Sequence, residues 1–168
     1  MRFVIVTGVS GAGKTAALKM LEDMNYFCVD NLPIQLLEKF ASLLPEMQGE
    51  NVRNVALGID ARSGSALDEL EVVLDRMKNT GYEYEILFMD AEDSVLVKRY
   101  KESRRSHPLA RTGRIDEGIR LEREKTKFLR RRADYIIDTS HLLTRELRQE
   151  IERIFVDDRE FSNIMISV

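Results

Sequence analysis

The chain has 168 residues, of which 43% are hydrophobic and 33% are charged, and its formal net charge is −3. This balance is typical of one globular domain with a single core, and it excludes a disordered chain. The chain contains no run of about 20 apolar residues, so we predict no membrane span. Cys28 is the only cysteine, which excludes an internal disulfide and leads us to expect a cytoplasmic protein.

The first predicted strand, residues 3–6, runs into a phosphate-binding loop. Residues 8–15 read Gly-Val-Ser-Gly-Ala-Gly-Lys-Thr and fit the pattern G-x-x-x-x-G-K-[ST]. Apolar residues then recur at helical spacing up to Met24, which predicts the helix that this loop requires. Because the motif has the correct strand–loop–helix context, we prefer it to a chance glycine-rich turn.

Each residue type in this loop suits a phosphate ligand. Glycines allow dihedral angles that bring backbone N–H groups close to phosphate oxygens. Lys14 can reach the β- and γ-phosphates, and the Thr15 hydroxyl can bind Mg²⁺. Lys14 is therefore a predicted catalytic residue and Thr15 a predicted metal ligand. The predicted nucleotide-binding residues of the loop are Gly8, Val9, Ser10, Gly11, Ala12, Gly13, Lys14 and Thr15.

Four further apolar runs alternate with helical patterns along the chain. They predict strands at residues 26–30, 54–60, 85–90 and 135–137. Five such strands separated by helices predict an α/β fold, a kinase-like P-loop NTPase with a five-stranded parallel sheet and helices on both faces.

Two details of the helical patterns are specific enough to test. Pro45 and Gly49 are expected to end the helix that begins after Pro33. In the helix from about residue 115, Leu121 and Phe128 are expected on one apolar face together with Leu129.

Three predicted strands end in an aspartate, and ligands bind at the carboxyl ends of such strands. Asp60 is the first choice for the carboxylate near Mg²⁺, because the third strand lies beside the P-loop strand in kinase-like folds. It is predicted to be both catalytic and a metal ligand. Asp30 is the second choice, whereas Asp90 is interpreted as a strand end and helix cap.

A basic segment follows the fourth strand. Residues 98–132 contain 14 Lys and Arg against five Asp and Glu. A loop broken by Pro108 and Gly113 lies within it, and such loops close over phosphates in many kinases. Arg104 and Arg105 are the predicted catalytic arginines, although spacing does not decide which arginine acts. A solvated helical hairpin and an RNA-binding surface remain alternatives.

The chain resembles the RapZ/YvcJ family of P-loop nucleotide-binding proteins. The resemblance rests on the loop at 8–15, on Cys-Val-Asp-Asn-Leu-Pro at 28–33, on Asp-Ala-Arg-Ser at 60–63 and on Arg-Arg-Ser-His-Pro-Leu at 104–109. It implies binding and slow hydrolysis of ATP and GTP with Mg²⁺. It further implies guanine-nucleotide binding by Asp60, Ala61, Arg62 and Ser63.

Members of that family look like longer, two-domain proteins. We therefore expect a nucleotide-binding domain at 1–156 and, at 157–168, the start of a linker to a second domain. RNA or protein partners are expected mainly through that second domain. The predicted function is a regulatory NTPase, with a small-molecule kinase and an RNA-binding module as alternatives. The oligomeric state stays open, a homo-oligomer included.

Overall fold

The computed structural model describes residues 2–49, 54–59, 66–103 and 114–156. Five parallel strands form one sheet in the order β2-β3-β1-β4-β5. Their bounds are Arg2–Gly8 for β1, Tyr26–Val29 for β2, Asn54–Gly58 for β3, Glu85–Asp90 for β4 and Tyr135–Asp138 for β5. The predicted α/β fold with a five-stranded parallel sheet is confirmed, and β3 lies beside β1 as expected.

Helices cover the sheet because its central strands are apolar on both faces. They are α1 (Lys14–Asp23), α2 (Leu37–Ser42), α3 (Leu44–Gly49), α4 (Ala66–Thr80), α5 (Asp93–Ser103), α6 (Ile115–Arg132) and α7 (Thr144–Phe155), with a single 3₁₀ turn at Ile34–Leu36. Helix α1 packs against β1, β2, β3 and α7, whereas α6 packs against β1, β4 and α4. The core lies between these layers.

The prediction that Pro45 and Gly49 end a helix was wrong for Pro45, whereas Gly49 is the last residue of α3. The chain forms a 3₁₀ turn and the short α2, breaks near Leu43, and continues as α3, which includes both residues. Pro45 is the second residue of α3, within the first turn, where a backbone N–H has no intrahelical acceptor and its absence costs nothing. Gly81, with a φ of +96°, directly follows the last residue of α4.

A cluster at the amino edge of the sheet holds the last helix in place. The Arg2 guanidinium donates to both carboxylate oxygens of Glu85, at 2.9 and 2.8 Å, and to the Ile154 carbonyl at 2.8 Å. It also lies 4.9 Å above the ring of Phe155. The Tyr135 hydroxyl donates to Glu85 at 3.1 Å. We call Arg2, Glu85, Tyr135 and Phe155 the amino-edge cluster. It connects β1, β4, β5 and α7.

Candidate functional site

The phosphate-loop segment leaves the carboxyl end of β1 and enters α1. Gly8, Gly11 and Gly13 have φ values of +139°, +87° and +105°. A Cβ on Gly8 would lie 2.1 Å from the Met89 carbonyl oxygen, so only glycine fits against β4 at this point. Gly13 is the left-handed residue that precedes α1. The backbone of the loop is thus curled, and the N–H groups of Val9, Ser10 and Ala12 donate to Met89, Glu122 and Val9 within the protein.

Lys14 and Thr15 are the first two residues of α1. The half-buried Lys14 folds back over the loop, and its Nζ donates to the Gly8 carbonyl at 3.3 Å. Thr15 is exposed at the open edge. The helix N-terminus adds its partial positive charge at the same place. Among the described residues, no three His, Cys, Asp or Glu side chains cluster in a way that could hold a metal ion.

Arg99 and Thr139 hold the outer side of the loop. Arg99 Nη1 donates to the Gly11 carbonyl at 2.9 Å, and Nη2 donates to the Thr139 carbonyl at 2.8 Å. The buried Thr139 hydroxyl donates to the Ala12 carbonyl at 2.8 Å. Two loop carbonyls therefore point outward to fixed partners. Sequence analysis missed Arg99, because an arginine in a basic segment gives no sign of which backbone it contacts.

Glu122 holds the inner side of the loop and was also missed. Its carboxylate accepts the Ser10 N–H at 2.5 Å and the Ser10 hydroxyl at 2.6 Å, and the residue is fully buried. Thr126, one turn further along α6, donates to the Glu122 carbonyl at 2.8 Å. Loop and helix are not packed solidly here, since Val9 and Thr126 border a cavity of about 260 Å³. The Ser10–Glu122 hydrogen bonds therefore fix this part of the loop.

This contact also corrects the predicted face of α6. Glu122 and Thr126 lie on the buried face together with Gly118, Ile119 and Leu129, whereas Leu121 and Phe128 are only half-buried. The apolar pattern was misleading, because the polar residues on this face satisfy one another and the loop rather than facing water.

The carboxyl ends of β2 and β3, which precede Asp30 and Asp60, are neighbours in the sheet. The Ile59 N–H donates to the Val6 carbonyl at 3.0 Å, so the chain runs beside β1 up to the residue before Asp60. Asp30 is exposed at the end of β2, and its Oδ1 would lie 2.8 Å from a Cβ on Gly58. Asp60, Ala61, Arg62 and Ser63 themselves lie outside the described residues, as do Ser65 and residues 157–168.

Asp90 does not belong to this open edge. It is buried at the end of β4, where it accepts Arg123 Nη1 at 2.9 Å, Arg130 Nε at 3.2 Å and the Ala91 N–H at 2.8 Å. The expected strand-end role is correct, but its main partners are two arginines of α6.

The basic segment is less free than its sequence predicts. Within the described residues, Arg99 holds the loop, Arg123 and Arg130 bind Asp90, and Arg132 Nη1 donates to Asp75 at 2.7 Å. Arg123, Arg130 and Arg132 are therefore paired with carboxylates inside the domain. Arg104 and Arg105 lie outside the part of the chain that the structure describes.

Two side chains near the carboxyl edge have shifted pKa values. Hydrogen bonds from the side chain and backbone of Ser140 lower the pKa of Asp138, the last residue of β5. Burial raises the pKa of the Cys28 thiol to about 11, with Glu22 adding to the shift. A thiol with this pKa is protonated near neutral pH, so Cys28 is a structural residue rather than a nucleophile.

Comparisons with known proteins identify the sequence family. A profile of the RapZ-like N-terminal domain matches residues 1–159. A nucleotide-binding protein of Lachnoclostridium phytofermentans is 62% identical over 168 residues, which is the whole of this chain and 59% of that protein. One of Agathobacter rectalis is 57% identical over 168 residues, 57% of its length. The chain thus spans rather more than half of these curated relatives.

Solved structures are similar in fold. A shikimate kinase from Acinetobacter baumannii in complex with shikimate has a TM-score of 0.59 at 17% identity, with 93% of each chain covered. A shikimate kinase from Bacteroides thetaiotaomicron also has a TM-score of 0.59, at 19% identity over 91% of this chain and 96% of that one. Of the described helices, none combines the length and the apolar character needed to cross a membrane.

Proposed function

The chain belongs to the RapZ-like N-terminal domain family, and on that premise we propose that it binds ATP and GTP at residues 8–15 and hydrolyses them slowly. The state of the bound nucleotide then controls a protein or RNA partner. The relatives that match over the whole chain are named nucleotide-binding proteins, which supports the first step.

One observation carries this proposal. The loop is already curled in the protein alone, with three glycines at positive φ, and it is held at Ser10, Gly11 and Ala12 by bonds from α6, α5 and the β5–α7 turn. A loop organised in advance loses little conformational entropy when a phosphate binds. The α1 N-terminus and Lys14 would supply the positive charge that polyphosphates require.

Mg²⁺ fits the open edge of the same site. The exposed Thr15 hydroxyl and Asp60, the residue after Ile59, would hold it, and Ala61, Arg62 and Ser63 would contribute to nucleotide binding. When bound, the ion neutralises charge on the transferring phosphoryl group. Lys14 then stabilises the bridging oxygens, and one of Arg104 and Arg105 neutralises the remaining charge.

In this proposal the basic segment, residues 98–132, acts mainly on the bound nucleotide and only secondarily on RNA. Its described arginines hold the loop and Asp90, so the charge left for an RNA is smaller than the sequence count. RNA and protein partners would therefore bind mainly through the second domain that the family resemblance implies. A homo-oligomer would place such partners beside two copies of the nucleotide site.

A small-molecule kinase is the second candidate. It is favoured by Asp30, which is exposed at the end of β2 on the same edge as the loop, where an acceptor hydroxyl would reach a phosphoryl group. A kinase would transfer the γ-phosphoryl group of ATP to that hydroxyl instead of to water.

Nucleotide turnover with and without phosphoryl acceptors tests the two candidates. The chain is incubated with Mg·ATP or Mg·GTP, and release of inorganic phosphate is measured alone and with a panel of sugars, polyols and hydroxy acids. Slow release that no acceptor changes supports the regulatory NTPase. Acceptor-dependent consumption with a phosphorylated product supports the kinase, and no turnover under any condition contradicts both.

A further inference from the structure

The cavity of about 260 Å³ beside the phosphate loop lies between α6 and the sheet. The buried side chains of Val9 and Phe88 line it on the side of the loop and β4. On the side of α6 it is lined by Arg123, Glu124, Thr126, Lys127 and Arg130. An apolar cavity of about 150 Å³ is enough for benzene, so this one has room for a substituted ring.

The sheet face that carries Phe88 is not covered up to its edge. Phe88 is the register partner of Ile136 in β5, and such partners in neighbouring strands point to the same face of a sheet. Ile136 is 44% exposed, so this face is open to solvent beside Phe88. A small molecule would enter the cavity from this side.

Two cations at the cavity have donor groups to spare. Arg130 Nε donates to Asp90 at 3.2 Å, and within the described part of the chain its two Nη groups have no partner. Lys127 is exposed, and its ammonium makes no hydrogen bond or ion pair with a described residue. Arg123, by contrast, uses Nε and both Nη groups on partners inside the domain.

The carboxylates nearby limit the charge of a ligand. Asp90 and Asp93 bind Arg123, and the exposed Glu124 lies on the cavity wall. They disfavour an occupant with several negative charges, such as a phosphate ester. A single carboxylate matches the spare donors of Lys127 and Arg130 better, and an apolar body matches the other wall.

We propose that this cavity binds a small organic carboxylate with a compact apolar body, such as a substituted benzoate. The ring contacts Val9 and Phe88, and the carboxylate accepts hydrogen bonds from Lys127 and from the Nη groups of Arg130. Burial of the ring supplies most of the affinity, while the two cations select the charged end. The proposal goes beyond the nucleotide site and does not depend on it, because none of these contacts uses a bound nucleotide.

The test measures binding of para-(trifluoromethyl)benzoate to the chain by fluorine NMR, with no nucleotide present. The matched probe is para-(trifluoromethyl)benzamide, which has the same ring and no charge. We expect saturable binding of the benzoate, with a dissociation constant of about 1 mM or lower and an affinity at least about fivefold above that of the amide. Backbone amide shifts of the wild type should change at Phe88, Thr126 and Lys127.

Three variants test the two parts of the site. Lys127→Gln removes one of the two cations and should weaken benzoate binding about fivefold, with little effect on the amide. Lys125→Gln removes an exposed lysine of α6 that does not line the cavity, and it should change neither affinity. Thr126→Leu fills part of the cavity and should weaken both probes.

Absence of saturable benzoate binding by the wild type would overturn the proposal, whichever variants fold. Equal affinities of the wild type for both probes would do the same, as would equal losses in Lys127→Gln and Lys125→Gln. Shift changes confined to residues 11–15 would place the carboxylate on the phosphate loop and also overturn it.

Discussion

At the scale of single residues, the proposed roles of Asp60 and Asp30 distinguish hydrolysis of the nucleotide from transfer of its phosphoryl group to an acceptor. Ile59 is hydrogen-bonded to Val6, at 3.0 Å, so Asp60 follows directly from a backbone position fixed beside β1. Asp30 ends the edge strand β2, one strand further from the loop. We therefore place the Mg²⁺ carboxylate at Asp60 and leave Asp30 to a second ligand.

Asp60→Asn should slow phosphate release by at least about tenfold while nucleotide affinity changes less. The amide keeps the shape but loses the charge that balances Mg²⁺, whereas the loop N–H groups still bind the phosphates. Phosphate release and calorimetry on the same preparation measure both. Asp30→Asn is the matched control. If phosphate release is slower in Asp30→Asn but not in Asp60→Asn, the metal carboxylate is Asp30 and the assignment to Asp60 is wrong.

At the scale of elements, the loop is held by segments far from it in sequence. Thr139, in the turn after β5, is 5% exposed and donates to the Ala12 carbonyl at 2.8 Å. It also accepts Arg99 Nη1 at 3.1 Å. The position of the phosphate site therefore depends on α5 and on β5, and a change in either element will reach the loop.

Thr139→Val should destabilise the domain by about 1–3 kcal/mol and weaken nucleotide binding. Valine matches the shape of threonine but leaves a buried carbonyl of the loop without its donor. Urea unfolding monitored by circular dichroism measures the free energy of unfolding. Thr144→Val, an exposed threonine at the start of α7, is the control, and an equal loss in both variants would contradict the anchoring role.

The sequence was sufficient for the elements that repeat a simple pattern. The five strands and the glycine loop follow from apolar runs and from positions where only glycine fits. The side chains that hold the loop were not predictable, because Arg99, Glu122 and Thr139 are brought to it by tertiary contacts over 88, 112 and 127 residues of sequence. For the same reason the buried face of α6 was misassigned, since a buried Glu122 breaks the apolar pattern.

At the scale of the whole molecule, the residues at the carboxyl ends of the strands differ in role from those at the amino ends. The carboxyl edge carries the phosphate loop, while the amino-edge cluster fixes α7 to β1, β4 and β5. Hydrogen bonding to Arg2 is the main cause that lowers the pKa of Glu85 in the folded state. Stability and nucleotide binding are thus built at opposite ends and should be separable by mutation.

Between pH 7 and pH 3 the free energy of unfolding should fall less in Glu85→Gln than in the wild type. The variant should still bind nucleotide at neutral pH. Because the pKa of Glu85 is lower in the folded than in the unfolded chain, its contribution is present above the unfolded value of about 4.3 and is lost as the pH falls through the folded value. Urea midpoints between pH 7 and pH 3 measure this. Glu150→Gln removes an exposed pair with Arg153 and should change the profile less, so equal profiles for both variants would contradict a special role for the cluster.

The most direct test of the central claim is a calorimetric titration of the chain with Mg·ATP and Mg·GTP, with Lys14→Ala and Lys19→Ala in parallel. Lys14 is the proposed phosphate-binding lysine, whereas Lys19 is an exposed lysine of the same helix. We expect saturable binding of both nucleotides by the wild type and by Lys19→Ala, and a loss on the order of 100-fold in folded Lys14→Ala. Wild-type affinity in folded Lys14→Ala would contradict the assignment of residues 8–15 as the nucleotide site.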